Sequence, residues 1–299
     1  MIEVRDLKKV YGDHTVLDGL NFSVEPGIIT GFVGPNGAGK STTMKIIAGF
    51  ETPTSGSALV DSKPFAVAKS PTHELGTSLG AEFLPASMTG VQYLGYICTS
   101  AGIKGANIQE LLEYVGLGDA GQRKISGYSM GMKQRIGIAA ALLGDPANLM
   151  LDEPVNGLDV NGIMWLRGVL REQAQRGKTV FLSSHIMSEL EQVIDRVIMI
   201  DKGHVVRDDT VQNLQQQSAA SAAVLVRSFS QFAEIEQLFL AEGLTFEKTQ
   251  GGLLVSGKPA CEVGALVFGA GLSLDHLETV TSSLEDIYLQ AKEQEESHE

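Results

Sequence analysis

Along the first 209 residues, short apolar runs alternate with longer stretches in which apolar positions return every three or four residues. The runs at 28–33, 149–151, 179–182 and 197–200 are brief and rich in β-branched side chains. That is the pattern of strands buried on both faces of a largely parallel sheet. Helical spacing fills residues 42–48, 130–143, 163–175 and 186–193. Strand and helix in alternation predict an α/β sheet with helices on both faces. Between Thr89 and Gly127 the strand signal gives way to helix signals, among them Asn107-Ile108-Gln109-Glu110, a capping-box pattern with Asn as the cap. A helical insertion over about residues 85–145 follows from that change.

The last 80 residues are patterned differently. Residues 223–227 read as a strand, 232–241 as a helix, and 245–248 with 253–256 as a hairpin turned at Gln250-Gly251-Gly252. A helix at 263–269, a strand near 272–277 and a helix at 284–291 complete the series. This order predicts a small α+β domain of ferredoxin-like type over 223–291. Leu214 to Ser221 is polar and low in complexity, so 214–222 reads as a linker after a first domain of 1–213. Residues 292–299 read as a solvated acidic tail.

Charge divides at the same place. The 299 residues carry 36 Asp and Glu against 23 Lys and Arg, a net of −13. Residues 1–209 hold 23 acidic and 19 basic side chains, a net of −4; residues 210–299 hold 13 and 4, a net of −9. A protein that grips a duplex shows a basic footprint, so this balance excludes nucleic acid as a partner. Two cysteines, Cys98 and Cys261, cannot build a disulfide framework and fit a reducing compartment. The first residues show neither a basic n-region nor an apolar h-region. Residues 83–103 carry no charge, but their Ser, Thr, Gly and Gln residues are too polar for a span of about 20 apolar residues. Direct membrane insertion is not expected.

Chemistry enters at Gly34-Pro35-Asn36-Gly37-Ala38-Gly39-Lys40-Ser41, a match to the pattern G-x-x-x-x-G-K-[ST]. Glycine lets backbone N–H groups curl around phosphate oxygens in conformations that a side chain would block. The helix that follows adds the positive end of its dipole. Gly34, Asn36, Gly37, Gly39, Lys40, Ser41 and Thr42 are the predicted phosphate-binding set, with Lys40 reaching the β- and γ-phosphates and the Ser41 hydroxyl on Mg²⁺. A bare Gly-rich turn would not need a strand before it and a helix behind it, and both are predicted here. A second signal is Leu149-Met150-Leu151-Asp152-Glu153, an apolar run ending in two acids. Alone, such a run more often begins a solvated loop. Beside a phosphate cradle it delivers two carboxylates to the ligand edge of the sheet, Asp152 for Mg²⁺ and Glu153 to orient and deprotonate the attacking water.

Further motifs arrive in a fixed order. Over residues 1–210 the chain resembles the ATP-binding cassette transporter ATPases. Tyr128-Ser129-Met130-Gly131-Met132-Lys133-Gln134-Arg135 resembles their signature, Pro154 to Asp159 their D-loop, and Ser183-Ser184-His185 their switch histidine; Tyr11 stands where the family stacks an aromatic on adenine. The resemblance implies that Ser129 and the backbone at Gly131 contact the γ-phosphate of ATP held by a second cassette. It implies that His185 senses that phosphate and that Asp159 communicates across the dimer. Ser129 would equally serve as a helix cap. One position departs from the family. The Q-loop residue, which touches Mg²⁺ and the attacking water, aligns to Gly80, which has no side chain; Glu82, two residues on, is the candidate replacement as a metal ligand.

The resemblance further implies two ATP molecules with Mg²⁺ between two ATPase subunits, a homodimer in preference to a heterodimer. Integral membrane permease subunits would form the path, with this chain cytoplasmic and peripheral on the inner face of the cell membrane. Residues around 83–103 would line the groove for the permease, or else serve as subdomain core. The signature wording and the acidic C-terminal domain resemble exporters of drugs, antibiotics, peptides or lipid-like substrates. The alternative is an ATPase of a non-transporting membrane complex, regulatory or sensing.

Overall fold

The computed structural model describes residues 1–220, 223–249, 252–280 and 283–289. They form two compact units, Met1–Val211 and Gln212–Leu289.

In the first unit, β1 (Ile2–Tyr11) and β2 (His14–Val24) form a hairpin. After β3 (Ile29–Val33) and helix α1 (Lys40–Ile47), β4 (Ser55–Val60) pairs with the other edge of β1 and completes an antiparallel sheet ordered β2-β1-β4. The larger sheet continues after the short helix α2 (Pro71–Glu74) with β5 (Leu75–Ser78). Helices α3 (Gly90–Ala101), α4 (Ile108–Tyr114) and α5 (Met130–Leu142) then pack around Leu94, Leu112, Ile125, Tyr128 and Ile136, a core of their own. The chain returns through β6 (Asn148–Leu151), α6 (Val160–Gln175), β7 (Thr179–Ser184), α7 (Met187–Glu191), β8 (Arg196–Asp201) and β9 (His204–Thr210).

The six strands lie in the order β5-β6-β7-β3-β8-β9, parallel except for β9. Every residue of β3, β6 and β7 is buried, which is why these strands read as unbroken apolar runs. The rings of Phe22, Phe32 and Phe181 meet at 5.4 to 5.9 Å and join the antiparallel sheet to the parallel one. The carboxyl ends of β3, β6 and β7, neighbours in the sheet, therefore share one edge, the ligand edge of an open α/β sheet.

The stretch read as a linker is helical: α8 covers Val211–Ala220, with Val211 and Leu214 buried. Gln, Ala and Leu are good helix formers, and two apolar residues three apart make one helical face. Polarity alone did not separate that pattern from a linker; residues 221–222 lie outside the described residues. In the second unit β10 (Ala223–Arg227), α9 (Phe232–Ala241), β11 (Thr245–Thr249), β12 (Gly252–Ser256), α10 (Ala260–Gly269) and β13 (His276–Val280) follow one another. The sheet order β11-β12-β10-β13, antiparallel throughout, is the β-α-β-β-α-β arrangement of a ferredoxin-like unit. Its last strand begins four residues later than the apolar pattern suggests. Leu272 and Leu274 pack on the core from a loop, and pairing starts once Asp275 N–H donates to Arg227 O at 2.9 Å. Residues 284–289 are helical. The expected turn at 250–251 and the tail 292–299 lie outside the described residues.

Candidate active site

The loop from β3 to α1 is shaped by its glycines. A Cβ on Gly34 would stand 2.2 Å from the backbone oxygen of Ile200, and one on Gly39 would stand 2.4 Å from Leu17 Cδ2 at a φ of 109°. No residue with a side chain fits either place. Gly39 also caps α1 without a side-chain bond, leaving the first-turn N–H groups, four of which have no intrahelical partner, for a ligand. They border a cavity of about 500 Å³ lined by Asn36, Gly37, Gly39, Lys40, Ser41 and Thr42, with His14, Val16, Glu153, Asn156 and His185.

Lys40 is 6% exposed. Its Nζ donates to Gly34 O at 2.6 Å and to Pro35 O at 3.1 Å, and lies 3.8 Å from Glu153 Oε1. Burial lowers its proton affinity below that of a free lysine, an effect that Glu153 and Asp152 oppose without cancelling. An ammonium in that state gains from any anion that enters the cavity.

The end of β6 is held from several sides. Asp152 N–H donates to Ser78 O at 2.8 Å, and Ser183 Oγ donates to Asp152 Oδ1. Glu153 N–H donates to the same Ser183 oxygen at 2.9 Å. The Glu153 carbonyl accepts from Gln134 Nε2 at 3.0 Å and from Asn156 N–H at 3.2 Å. These bonds fix Glu153 at a φ of 49°, a left-handed conformation that costs a non-glycine residue about 1–3 kcal/mol. Its carboxylate is thereby aimed with one oxygen toward Lys40 and the other 2.9 Å from His185 Nδ1.

Phosphate loop, Glu153 and His185 therefore converge on one cavity, as the sequence predicts. Asp152, 9% exposed, is not among the residues that line it. The remaining predicted residues stand elsewhere. Ser129 caps α5, accepting from Met132 N–H at 3.3 Å, and Asp159 caps α6, accepting from Gly162 N–H at 2.8 Å. A Cβ on Gly131 would lie 3.0 Å from Gly157 O, so the signature turn packs on the D-loop. Tyr11 does not line the cavity. Its hydroxyl bonds Glu51, which more than any other group pushes its pKa up to about 12, and Lys9 Nζ sits 4.6 Å from its ring centroid.

Glu82 is not brought to the cavity either. It belongs to a single turn of 3-10 helix, Ala81–Phe83, and its carboxylate folds over Gly80, into space that a side chain there would occupy. Gly80 instead borders a separate apolar cavity of about 440 Å³ with Phe50, Leu79, Phe83, Leu84 and Tyr93. The expectation of Glu82 as a metal ligand has no support in this placement. His14 and Val16 escape a motif-based reading; Gln134, Asn156 and Ser183 lie inside the quoted motifs, but those motifs assign them no role beside Glu153. The one available signal for His14 is the two-residue turn at Gly12-Asp13, which sets His14 across from Tyr11.

A family model described as ABC transporter matches residues 17–156, and one described as Domain of unknown function (DUF8746) matches residues 222–285. The chain is 36% identical over 219 residues to the lantibiotic transport ATP-binding protein SrtF of Streptococcus pyogenes, covering 72% of this chain and 95% of that protein. It is 32% identical over 307 residues to the daunorubicin/doxorubicin resistance ATP-binding protein DrrA of Streptomyces peucetius, covering 96% and 91%. A solved structure described as the ATP binding subunit of an ABC transporter superposes with a TM-score of 0.65 at 28% identity, over 73% of this chain and 92% of that one.

Proposed function

This chain belongs to the ABC transporter family, and from that premise we propose that it binds and hydrolyses ATP to drive export of an antibiotic-like compound through a separate membrane subunit. The observation that carries the reading is the Glu153 carboxylate, held between Lys40 and His185 at the mouth of the phosphate cradle. The first turn of α1 and Lys40 bind the β- and γ-phosphates. Glu153 orients a water and takes its proton as the water oxygen bonds to the γ-phosphorus; the bond from that phosphorus to the β-phosphate oxygen breaks, releasing ADP and phosphate. His185 holds the carboxylate in line through Nδ1 and lines the cavity that takes the γ-phosphate.

Among the described residues no group of three or more His, Cys, Asp or Glu could hold a metal ion alone. One hydroxyl, Ser41, and one carboxylate, Asp152, suit Mg²⁺, which takes one or two protein ligands and completes its shell with phosphate oxygens and water. Bound there, Mg²⁺ would neutralise charge developing on the β- and γ-oxygens. Phosphate loop, signature, Glu153 and His185 all stand in one chain, which supports a homodimer with two competent sites. Ser129 and Gly131, which do not line the chain's own cavity, would then serve the partner's nucleotide.

Export as the direction of transport rests on the lantibiotic and daunorubicin relatives. No helix among the described residues is long and apolar enough to cross a membrane. The relatives named as ATP-binding proteins support a permease on a separate subunit, with this chain peripheral on the inner face. The apolar cavity at Phe50, Phe83, Leu84 and Tyr93 would receive the permease's cytoplasmic segment. The test is Glu153→Gln: turnover should fall by about 10² or more, with ATP affinity kept within a few-fold in equilibrium binding. Hydrolysis near the wild-type rate would remove Glu153 as the base.

A further inference from the structure

Glu153 sits in a conformation that its own backbone disfavours, so something must hold it there. Its N–H is held by Ser183, from the neighbouring strand β7. Its carbonyl is held by Asn156, from the turn that follows, and by Gln134 Nε2 at 3.0 Å. Gln134 differs from the other two in where it comes from. It lies on α5, the helix capped by Ser129, 19 residues before Glu153 and outside the strand layer. It is 5% exposed, and a glutamine so buried keeps its place by that bond. The next residue, Arg135, is fixed as well: its guanidinium donates to Val115 O at 2.9 Å and lies 4.3 Å from the ring centroid of Trp165 on α6. The segment that presents Gln134 is therefore anchored on two sides.

We propose that Gln134 is a positioning residue for ATP hydrolysis. Its amide holds the Glu153 carbonyl and so keeps the carboxylate aligned with Lys40 and His185. The inference rests on Glu153 acting as the base. It adds that the base is aligned only while α5 is seated. Since Ser129 begins that same helix, a shift of the signature turn would reach Glu153 through one side chain.

The test uses the full-length chain. Gln134→Met keeps the length of the side chain and removes the donor; Gln134→Leu is the second donorless variant if the first does not fold. ATP hydrolysis is measured over a range of ATP concentrations. Trp165, the one tryptophan of the sequence, reports through its emission whether α5 still packs on α6. The expected result is a kcat lowered by at least about 10-fold, as a small misplacement of a catalytic group produces, with KM within two-fold of wild type and the emission of Trp165 unchanged. A wild-type kcat would overturn the proposal, and so would a loss carried by KM or accompanied by a shifted emission. Glu153→Gln in the same assay separates the two readings. If it is inactive while Gln134→Met is not, only the positioning role fails; if it hydrolyses ATP normally, the assignment of the base fails first.

Discussion

Lys40 illustrates how a single residue is tuned by place. Two loop carbonyls take two of its three donors, and burial outweighs the two nearby carboxylates in setting its proton affinity. The unfolded chain thus binds this proton more tightly than the folded one. Between the lowered value and the ordinary 10.5, the contribution of Lys40 to stability therefore rises with pH. Nucleotide reverses the balance, because phosphates favour the charged form. ATP affinity should accordingly weaken on the alkaline side before a free lysine would lose its proton. Equilibrium titrations between about pH 7 and about pH 10 would show this, and a constant Kd across that span would contradict it. At this scale the phosphate loop, Glu153 and His185 were legible because chemistry imposes residue type and spacing together. The contacts of Gln134 and Ser183 with Glu153 were not, although both residues stand inside quoted motifs, because each meets Glu153 only after distant segments fold together. Glu82 shows the reverse: a suitable side chain two positions from a motif was carried by its turn away from the cavity.

At the scale of elements, caps decide where helices begin. Thr89 and Gln92 form a complete capping box at the start of α3, the Thr89 oxygen accepting from Gln92 N–H at 3.2 Å and Gln92 Oε1 from Thr89 N–H at 2.9 Å. Asn107 completes only half of one, since Glu110 returns to its side-chain amide and not to its backbone. The sequence signal at Asn107 was thus correct for the helix start, and the fuller box at Thr89 went unread. Thr89→Ala should lower stability by about 1 kcal/mol, read from denaturant unfolding, with ATP affinity unchanged because Thr89 is remote from the nucleotide cavity. A larger loss, with weakened ATP binding, would mean that α3 supports the phosphate loop. Strands of the parallel sheet were readable from their apolar runs. The late start of β13 and the helicity of α8 were not, since backbone pairing and a two-residue apolar face leave weak traces in composition.

For the whole molecule, every residue lining the nucleotide cavity lies in the first compact unit. A chain ending after Ala220 should therefore bind ATP with the affinity of the full protein, by equilibrium titration of both. Loss of affinity in the shorter chain would give the second unit a part in the site. The acidity belongs mainly to that second part, with a net of −9 after residue 209 against −4 before it, so the charge of the protein says little about its phosphate chemistry. The sequence by itself determined the α/β class, the phosphate loop, the acidic strand end and the family. Each of these is written in neighbouring residues, where a fixed spacing along the chain is also a fixed spacing in space. Only the tertiary structure decided what surrounds Glu153. The order β6-β7-β3 sets Ser183, His185 and Lys40 around it, and the packing of α5 adds Gln134. Contacts of that kind join segments far apart in the chain, and no local pattern of residues encodes them.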